Sequence, residues 1–210
     1  MEITVNGVRL FYVREGSGPP VLLIHGNGDD HSAFAPLIEE LCRDYTVYAL
    51  DSRGHGRSQT VAALRYEDMA EDVLCLIRAL GLEKPVLYGF SDGGIIGLLA
   101  ASREPQLLSR LIVCGANTRP WGLKWGFLLS TLGGYVRRRD PLDKLMLTQP
   151  WITRQELGRI ATPTLVLAGE RDLIRTRHTR RLAAAIPGAQ LRILPGETHS
   201  SYINRRPEGL

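Results

Sequence analysis

Short apolar runs alternate along the chain with longer segments in which apolar residues recur every three or four positions. The runs have the length of buried strands, and the longer segments have the spacing of amphipathic helices. The predicted strands span residues 3–5, 8–13, 21–24, 46–50, 86–88, 111–114, 164–168 and 191–194, and the predicted helices span residues 34–42, 67–80, 93–103 and 175–185. Alternation of this kind predicts an α/β fold with a mostly parallel sheet and helices on both of its faces.

One segment, residues 117–159, falls outside this alternation. It separates the predicted strands 111–114 and 164–168 and is rich in aromatic and basic residues. We therefore divide the chain into a core of residues 1–116 and 160–210 and an inserted segment, within a single domain. Ligands of such sheets bind beyond the carboxyl ends of the strands, so functional residues are expected in the loops at that edge.

A serine stands where a predicted strand turns directly into a predicted helix, in the pentapeptide Gly89-Phe90-Ser91-Asp92-Gly93. A nucleophile on so tight a turn needs small neighbours, because the backbones of the strand and the helix crowd there. The pattern therefore predicts a nucleophile elbow, with Ser91 as the nucleophile.

A serine nucleophile needs an imidazole that accepts its proton. The histidines of the chain are His25, His31, His55, His178 and His199. His199 is the predicted base, because it lies in a loop directly after the last predicted strand. His178 lies among arginines on the last predicted helix, where we expect a solvated face. His25 and His55 lie in glycine-rich turns and are expected to shape those loops.

The imidazole in turn needs a carboxylate that orients it. Asp172 follows the predicted strand 164–168 within a short loop and is the predicted acid. Glu170 is the alternative, although it adjoins the strand end and has less freedom to reach a histidine on another loop.

Two further loops complete a recognisable pattern. Residues 24–28 read Ile-His-Gly-Asn-Gly, and residues 51–58 read Asp-Ser-Arg-Gly-His-Gly-Arg-Ser. In order with Ser91, Asp172 and His199, these motifs resemble those of the α/β-hydrolase family, and the resemblance runs over nearly the whole chain. It implies the α/β-hydrolase fold, in which the inserted segment is a short lid.

The resemblance also implies an oxyanion hole formed by the backbone N–H groups of Asn27 and Asp92. Asp92 would begin the helix after Ser91, where unpaired N–H groups and the positive helix end favour a developing negative charge. A carboxylate aimed at the hole would oppose that charge. We therefore expect the Asp92 side chain to face away from the pocket.

Together these residues predict a serine hydrolase that cleaves a small or medium carboxylic ester through an acyl-enzyme. Ser91 attacks the carbonyl carbon, His199 takes and returns the proton, and Asp172 orients the imidazole. This chemistry requires no metal ion and no organic cofactor. The alternatives are hydrolysis of a carbon–carbon bond or cofactor-free perhydrolysis on the same triad, and a member that binds a ligand without turning it over.

The lid is expected to contribute the substrate pocket. The candidate pocket residues are Trp121, Trp125, Leu129 and Trp151. Trp125, Leu129 and Leu132 share one helical face, which either lines an acyl pocket over Ser91 or packs on the core. The sequence leaves both arrangements open.

Charge limits the classes of partner. The inserted segment has eight Lys and Arg residues against three Asp and Glu, in a chain of net charge +4 and pI about 9.1. We interpret this excess as a solvated face, and expect neither nucleic-acid binding nor stable membrane association. The expected partner is a small-molecule acyl substrate, and the protein is either a monomer or a homodimer.

The cysteines and the N-terminus bear on location. Cys42, Cys75 and Cys114 lie singly in apolar segments without metal-type spacing, which is typical of free thiols in a reducing compartment. The first residues show no basic segment followed by a long apolar run. We therefore expect a cytoplasmic protein.

Overall fold

In the computed structural model, which describes residues 1–207, the alternation predicted from the sequence forms one eight-stranded sheet. Its strands are β1 (Glu2–Val5), β2 (Val8–Glu15), β3 (Pro20–Ile24), β4 (Thr46–Asp51), β5 (Val86–Phe90), β6 (Arg110–Cys114), β7 (Thr164–Gly169) and β8 (Gln190–Leu194). Their order across the sheet is β1-β2-β4-β3-β5-β6-β7-β8. Every predicted strand is present, with its ends within two residues of the predicted ones.

The sheet is mostly parallel. β1 and β2 form an antiparallel hairpin, β2 runs antiparallel to β4, and every pair from β4 to β8 is parallel. The first turn is sharp because Asn6 and Gly7 both adopt positive φ, as an Asn-Gly hairpin turn requires. The carboxyl ends of six neighbouring parallel strands therefore meet at one edge, and the loops that follow them lie side by side.

Helices cover both faces of this sheet, which confirms the predicted fold class. The helices are α1 (Ala35–Leu41), α2 (Tyr66–Ala79), α3 (Asp92–Arg103), α4 (Trp125–Arg138), α5 (Pro141–Thr148), α6 (Arg154–Gly158) and α7 (Thr176–Ala185). Alternate side chains of the central strands feed two cores. One core contains residues of α2, α3 and α7, and the other contains residues of α1 together with Tyr202 and Ile203.

The inserted segment lies between β6 and β7 and is helical, since it contains α4, α5 and α6. It is anchored where the N–H of Ile152 donates to the carbonyl of Thr118 and the N–H of Lys124 donates to the carbonyl of Leu173. The division into core and lid remains a prediction, and residues 208–210 of the core range lie outside the described residues.

Within residues 1–207, no helix combines the length and the apolar character needed to cross a membrane.

Candidate active site

Ser91 is the single residue between a strand and a helix. β5 ends at Phe90 and α3 begins at Asp92, so the chain reverses direction at the serine, which adopts φ 53° and ψ −111°. A non-glycine residue with positive φ is strained, and the surroundings hold it in place. The N–H of Ser91 donates to the carbonyl of Cys114 at 2.7 Å, which ties the turn to the neighbouring strand β6.

Gly93 explains why this turn needs small residues. A Cβ added at Gly93 would lie 2.0 Å from the carbonyl oxygen of Ile24, at the end of β3. The N–H of Gly93 donates to the carbonyl of His25 at 3.0 Å, so the first turn of α3 is pressed against the loop after β3. The glycines seen in the sequence therefore serve a close backbone approach.

The three predicted catalytic side chains form one chain of hydrogen bonds. Nε2 of His199 lies 3.1 Å from Oγ of Ser91, and Nδ1 of His199 lies 2.6 Å from Oδ1 of Asp172. The carboxylate accepts, so Nδ1 carries the proton and Nε2 is left to accept from the serine hydroxyl. This is the arrangement in which an imidazole acts as a general base toward serine.

Asp172 is buried and held by several donors. The N–H groups of Ile174 and Gly169 donate to its two oxygens at 3.0 and 3.2 Å, and the Tyr202 hydroxyl lies 3.3 Å from Oδ2. Burial alone would raise the pKa of Asp172, but the hydrogen bond and charge of His199 and the two backbone N–H groups hold that pKa below its usual value. The carboxylate is therefore ionised at neutral pH.

The alternatives weighed from the sequence lie elsewhere. Glu170 is exposed, and its carboxylate accepts from the N–H of Gly196 at 2.9 Å instead of from a histidine. His178 is not on a solvated face as expected: it is half-buried, and its Nε2 accepts from the N–H of Thr118 at 3.0 Å. Burial and three nearby arginines lower the pKa of His178 to about 4. It therefore fastens the inserted segment to α7 in its neutral form.

Asn27 and Asp92, the predicted oxyanion-hole residues, are joined through their side chains. Nδ2 of Asn27 donates to Oδ2 of Asp92 at 3.0 Å, and the hydroxyl of Tyr66 donates to Oδ1 at 2.7 Å. Among residues 1–207, neither the Asn27 N–H nor the Asp92 N–H has a protein acceptor. Both N–H groups are thus available near Ser91, which is what stabilisation of an oxyanion requires.

The expectation that the Asp92 carboxylate faces away from the pocket is wrong. The side chain is buried and lies in the wall of the cavity beside Ser91. Burial raises its pKa, and the hydrogen bonds from Tyr66 and Asn27 oppose that rise. Tyr66 comes from the start of α2, far along the sequence, so no local pattern around Ser91 indicated this partner.

A cavity of about 280 Å3 opens above Ser91 and His199. Its walls also contain Leu123, Phe127, Met146, Asp29 and Gln149. Burial and the neighbouring Asp30 raise the pKa of the Asp29 carboxyl. Apolar side chains from the inserted segment thus do cover the serine, but they are different ones from those expected.

The four aromatic and apolar residues proposed for the pocket require correction. Trp121, Trp125, Leu129 and Trp151 are exposed and lie outside the cavity wall. The helical face shared by Trp125, Leu129 and Leu132 neither lines the cavity nor packs on the core. α4 instead turns its opposite side inward, so Phe127 reaches the cavity.

One group of residues has the composition of a metal site. Ligand atoms of Asp30, His31 and Asp51 lie within 4.8 Å of one another. Their atoms already serve the loops, however: Nδ1 of His31 lies 2.7 Å from Oδ1 of Asp51, the N–H of Arg57 donates to Oδ2, and Asp30 caps a short helix through the N–H of Ser32. The group is explained as a set of loop hydrogen bonds.

Comparison with known proteins agrees with this geometry. A family model described as alpha/beta hydrolase fold matches residues 19–145, from β3 through the elbow to α5. The chain belongs to the α/β-hydrolase family.

Relatives of this α/β-hydrolase carry hydrolase names. The human protein named serine hydrolase BPHL is 29% identical over 96% of this chain and 80% of its own length. A putative carbamate hydrolase, RutD of Agrobacterium fabrum, is 36% identical over 90% of this chain and 89% of its own. The solved structure of a thermophilic esterase from Thermogutta terrifontis has a TM-score of 0.76 and 26% identity, covering 94% of this chain and 88% of that one. This α/β-hydrolase is therefore a hydrolytic enzyme.

Proposed function

We propose that this α/β-hydrolase cleaves small or medium carboxylic esters through an acyl-enzyme on Ser91. The observation that carries the proposal is the continuous chain from Oγ of Ser91 through His199 to the buried carboxylate of Asp172. A serine becomes a nucleophile at neutral pH only beside such a base, and the same three groups at hydrogen-bond distance account for that activation.

The reaction follows from the placement of these groups. Oγ of Ser91 attacks the carbonyl carbon of the ester while Nε2 of His199 takes the hydroxyl proton. The tetrahedral oxyanion accepts from the N–H groups of Asn27 and Asp92. Collapse of this intermediate breaks the bond to the alkoxide, which leaves with the proton from His199. Water then attacks the acyl-enzyme with the same base, which releases the acid and restores the serine.

The substrate class rests on the cavity and on the names of the relatives. A cavity of about 280 Å3 with Phe127, Met146 and Leu123 in its wall fits a short or medium acyl group. The names esterase, serine hydrolase and carbamate hydrolase all describe attack on a substrate that an activated serine can open. Among these, the carboxylic ester is the simplest substrate for the triad.

The first test is hydrolysis of a p-nitrophenyl ester series from acetate to decanoate. We expect turnover by the unmodified protein and a loss on the order of a millionfold in Ser91→Ala, as in a well-studied serine hydrolase. The matched control is Ser200→Ala, because Ser200 also lies in the cavity wall but makes no hydrogen bond to a histidine within residues 1–207. A fluorophosphonate should label Ser200→Ala and not Ser91→Ala, and labelling of Ser91→Ala would remove the nucleophile from this assignment.

A cytoplasmic location belongs to the same proposal. Cys42, Cys75 and Cys114 are all free thiols, which supports a reducing compartment. Cell fractionation followed by activity measurement tests it, and recovery of the protein from an oxidising compartment would contradict it.

A further inference from the structure

Helix α4 is built the opposite way round from an ordinary surface helix. The side that faces the rest of the protein carries Phe127 and the small buried residues Thr131 and Gly134. An amphipathic helix of a water-soluble domain normally buries its large apolar side chains and exposes polar ones. In α4 the small residues are inside, so its large apolar residues need another explanation.

Those large residues form a stripe on the outer side, which we call the α4 stripe: Trp125, Leu129, Leu132 and Val136. Their spacing of four, three and four residues places them on one side of the helix. They are 64%, 67%, 46% and 61% exposed, respectively. Single exposed apolar residues are common, but a continuous row of four on one helix marks a surface that meets another apolar phase.

The flanks of the α4 stripe are basic. Helix α4 has no acidic residue, Lys124 precedes it, and Arg137 and Arg138 end it. Arg138 pairs with Asp143 at 2.9 Å, whereas the side chains of Lys124 and Arg137 meet no carboxylate within residues 1–207. The surface around the stripe therefore complements a negatively charged partner.

We propose that the α4 stripe docks this protein reversibly on an anionic lipid surface. A helix with Trp and Leu on one face and basic residues beside them is the type that lies in the plane of a membrane interface. α4 has 14 residues, about 21 Å of helix, which is enough to lie along the surface. Trp125 is also held in place, since the guanidinium of Arg175 lies 4.5 Å from its ring centre.

Charge argues against a second copy of this chain as the occupant. A symmetric dimer through the α4 stripe would bring the same surface of two subunits together. Arg137 and Lys124 of one subunit would then face the basic flanks of the other with no acidic residue of α4 to pair with. An anionic bilayer supplies the missing charge as well as the apolar phase.

Docking would place the membrane next to the cavity. Phe127 on the inner side of α4 lies in the cavity wall, and the stripe lies on the outer side of the same helix. One helix thus separates the reactive serine from the proposed lipid surface. Binding itself is independent of turnover, so its test stands whether or not the ester proposal holds.

The test is co-sedimentation of the intact protein with large unilamellar vesicles. One set consists of phosphatidylcholine with roughly 30 mol% phosphatidylglycerol, and the other of phosphatidylcholine alone. We expect binding to the anionic set, weaker binding to the neutral set, and release from the anionic set as salt is raised. Failure to bind the anionic vesicles at low salt would overturn the proposal.

Two double variants separate the apolar and the electrostatic contributions. Leu129→Gln with Val136→Gln is expected to lower partitioning to anionic vesicles about tenfold or more, because it removes half of the stripe. Lys124→Gln with Arg137→Gln is expected to lower it about fivefold or more at low salt. The charge-matched control, Arg43→Gln with Lys84→Gln, alters exposed residues at the amino ends of β4 and β5, and should bind like the unmodified protein.

Circular dichroism verifies that each variant is folded, which exposed positions favour. Equal binding by the stripe variant and the unmodified protein would refute the assignment of the stripe. Light scattering decides between occupants: a dimer that Leu129→Gln with Val136→Gln disperses, without vesicle binding by the unmodified protein, would replace the lipid surface by a second copy.

Discussion

The turn around Ser91 and the helix α4 are both short segments of this α/β-hydrolase, yet their surroundings differ greatly. At the turn, the N–H groups of Ser91 and Gly93 donate to two neighbouring strand ends, and a single added methyl group would collide with backbone. On α4, four large side chains point away from the protein. The comparison teaches that the sheet fixes the position of each atom at the site, whereas the lid is held at few points and keeps an apolar surface for other uses.

The largest effect should come from the buried end of the triad. Asp172→Asn replaces an acceptor for the His199 N–H by an amide, and a change of this kind in serine proteases lowers kcat by about four powers of ten. The matched control is Glu170→Gln, which alters an exposed carboxylate on the same loop and should stay within about twofold. Ester hydrolysis under saturating substrate measures both, and near-normal turnover by Asp172→Asn would move the orienting role elsewhere.

Two glycine substitutions compare the regions directly. Gly93→Ala places a Cβ 2.0 Å from the carbonyl of Ile24 and should lower the free energy of unfolding by about 3 kcal/mol or more. Gly133→Ala, in the middle of α4, meets nothing within 4 Å and should raise it by about 0.5 to 1 kcal/mol. Urea unfolding measures both. Equal effects would show that the turn is less crowded, or the lid more so, than the structure indicates.

Acid tests the hydrogen bonds behind the site. Burial, above all, lowers the pKa of His25 to about 4, because its Nε2 accepts from the N–H of Ser52 and must stay unprotonated. A histidine whose pKa is lowered in the folded state contributes stability above about pH 6.5 that is lost as the pH falls toward 4. For His25 this loss is about 3 kcal/mol.

The measurement is the free energy of unfolding at pH 7 and at pH 4.5. His25→Gln should have a smaller difference between the two pH values than the unmodified protein. His178→Gln should reduce the difference less, because His178 is more exposed and fastens the lid rather than the sheet. If His25→Gln kept the full difference, the buried neutral state of His25 would be refuted.

The smallest effect separates the two sides of α4. Phe127→Ala enlarges the cavity and should lower kcat/KM for the longer esters of the series about tenfold, since an apolar pocket gains little from each lost methylene. Leu129→Ala changes the outer side and should stay within about twofold for soluble esters. A reversed result would mean that the outer face of α4 contacts the substrate.

The sequence by itself determined the sheet and the positions of Ser91, Asp172 and His199 at its edge. Apolar runs define buried strands wherever they are flanked by turn residues, and a serine among glycines between a strand and a helix leaves the chain only one tight turn. Those features depend on residues that are close in sequence. The order of strand, turn and helix then carried the acid and the base to neighbouring loops.

Only the tertiary structure decided the lid and the second layer of the site. Helical spacing groups Trp125, Leu129 and Leu132 on one face but cannot say which face turns inward, because α4 is attached at a few points and small residues such as Gly134 allow close packing on the other side. The burial of Asp92 likewise depends on Tyr66, which α2 delivers from a distant part of the chain. Contacts of that kind arise only after the sheet and helices assemble.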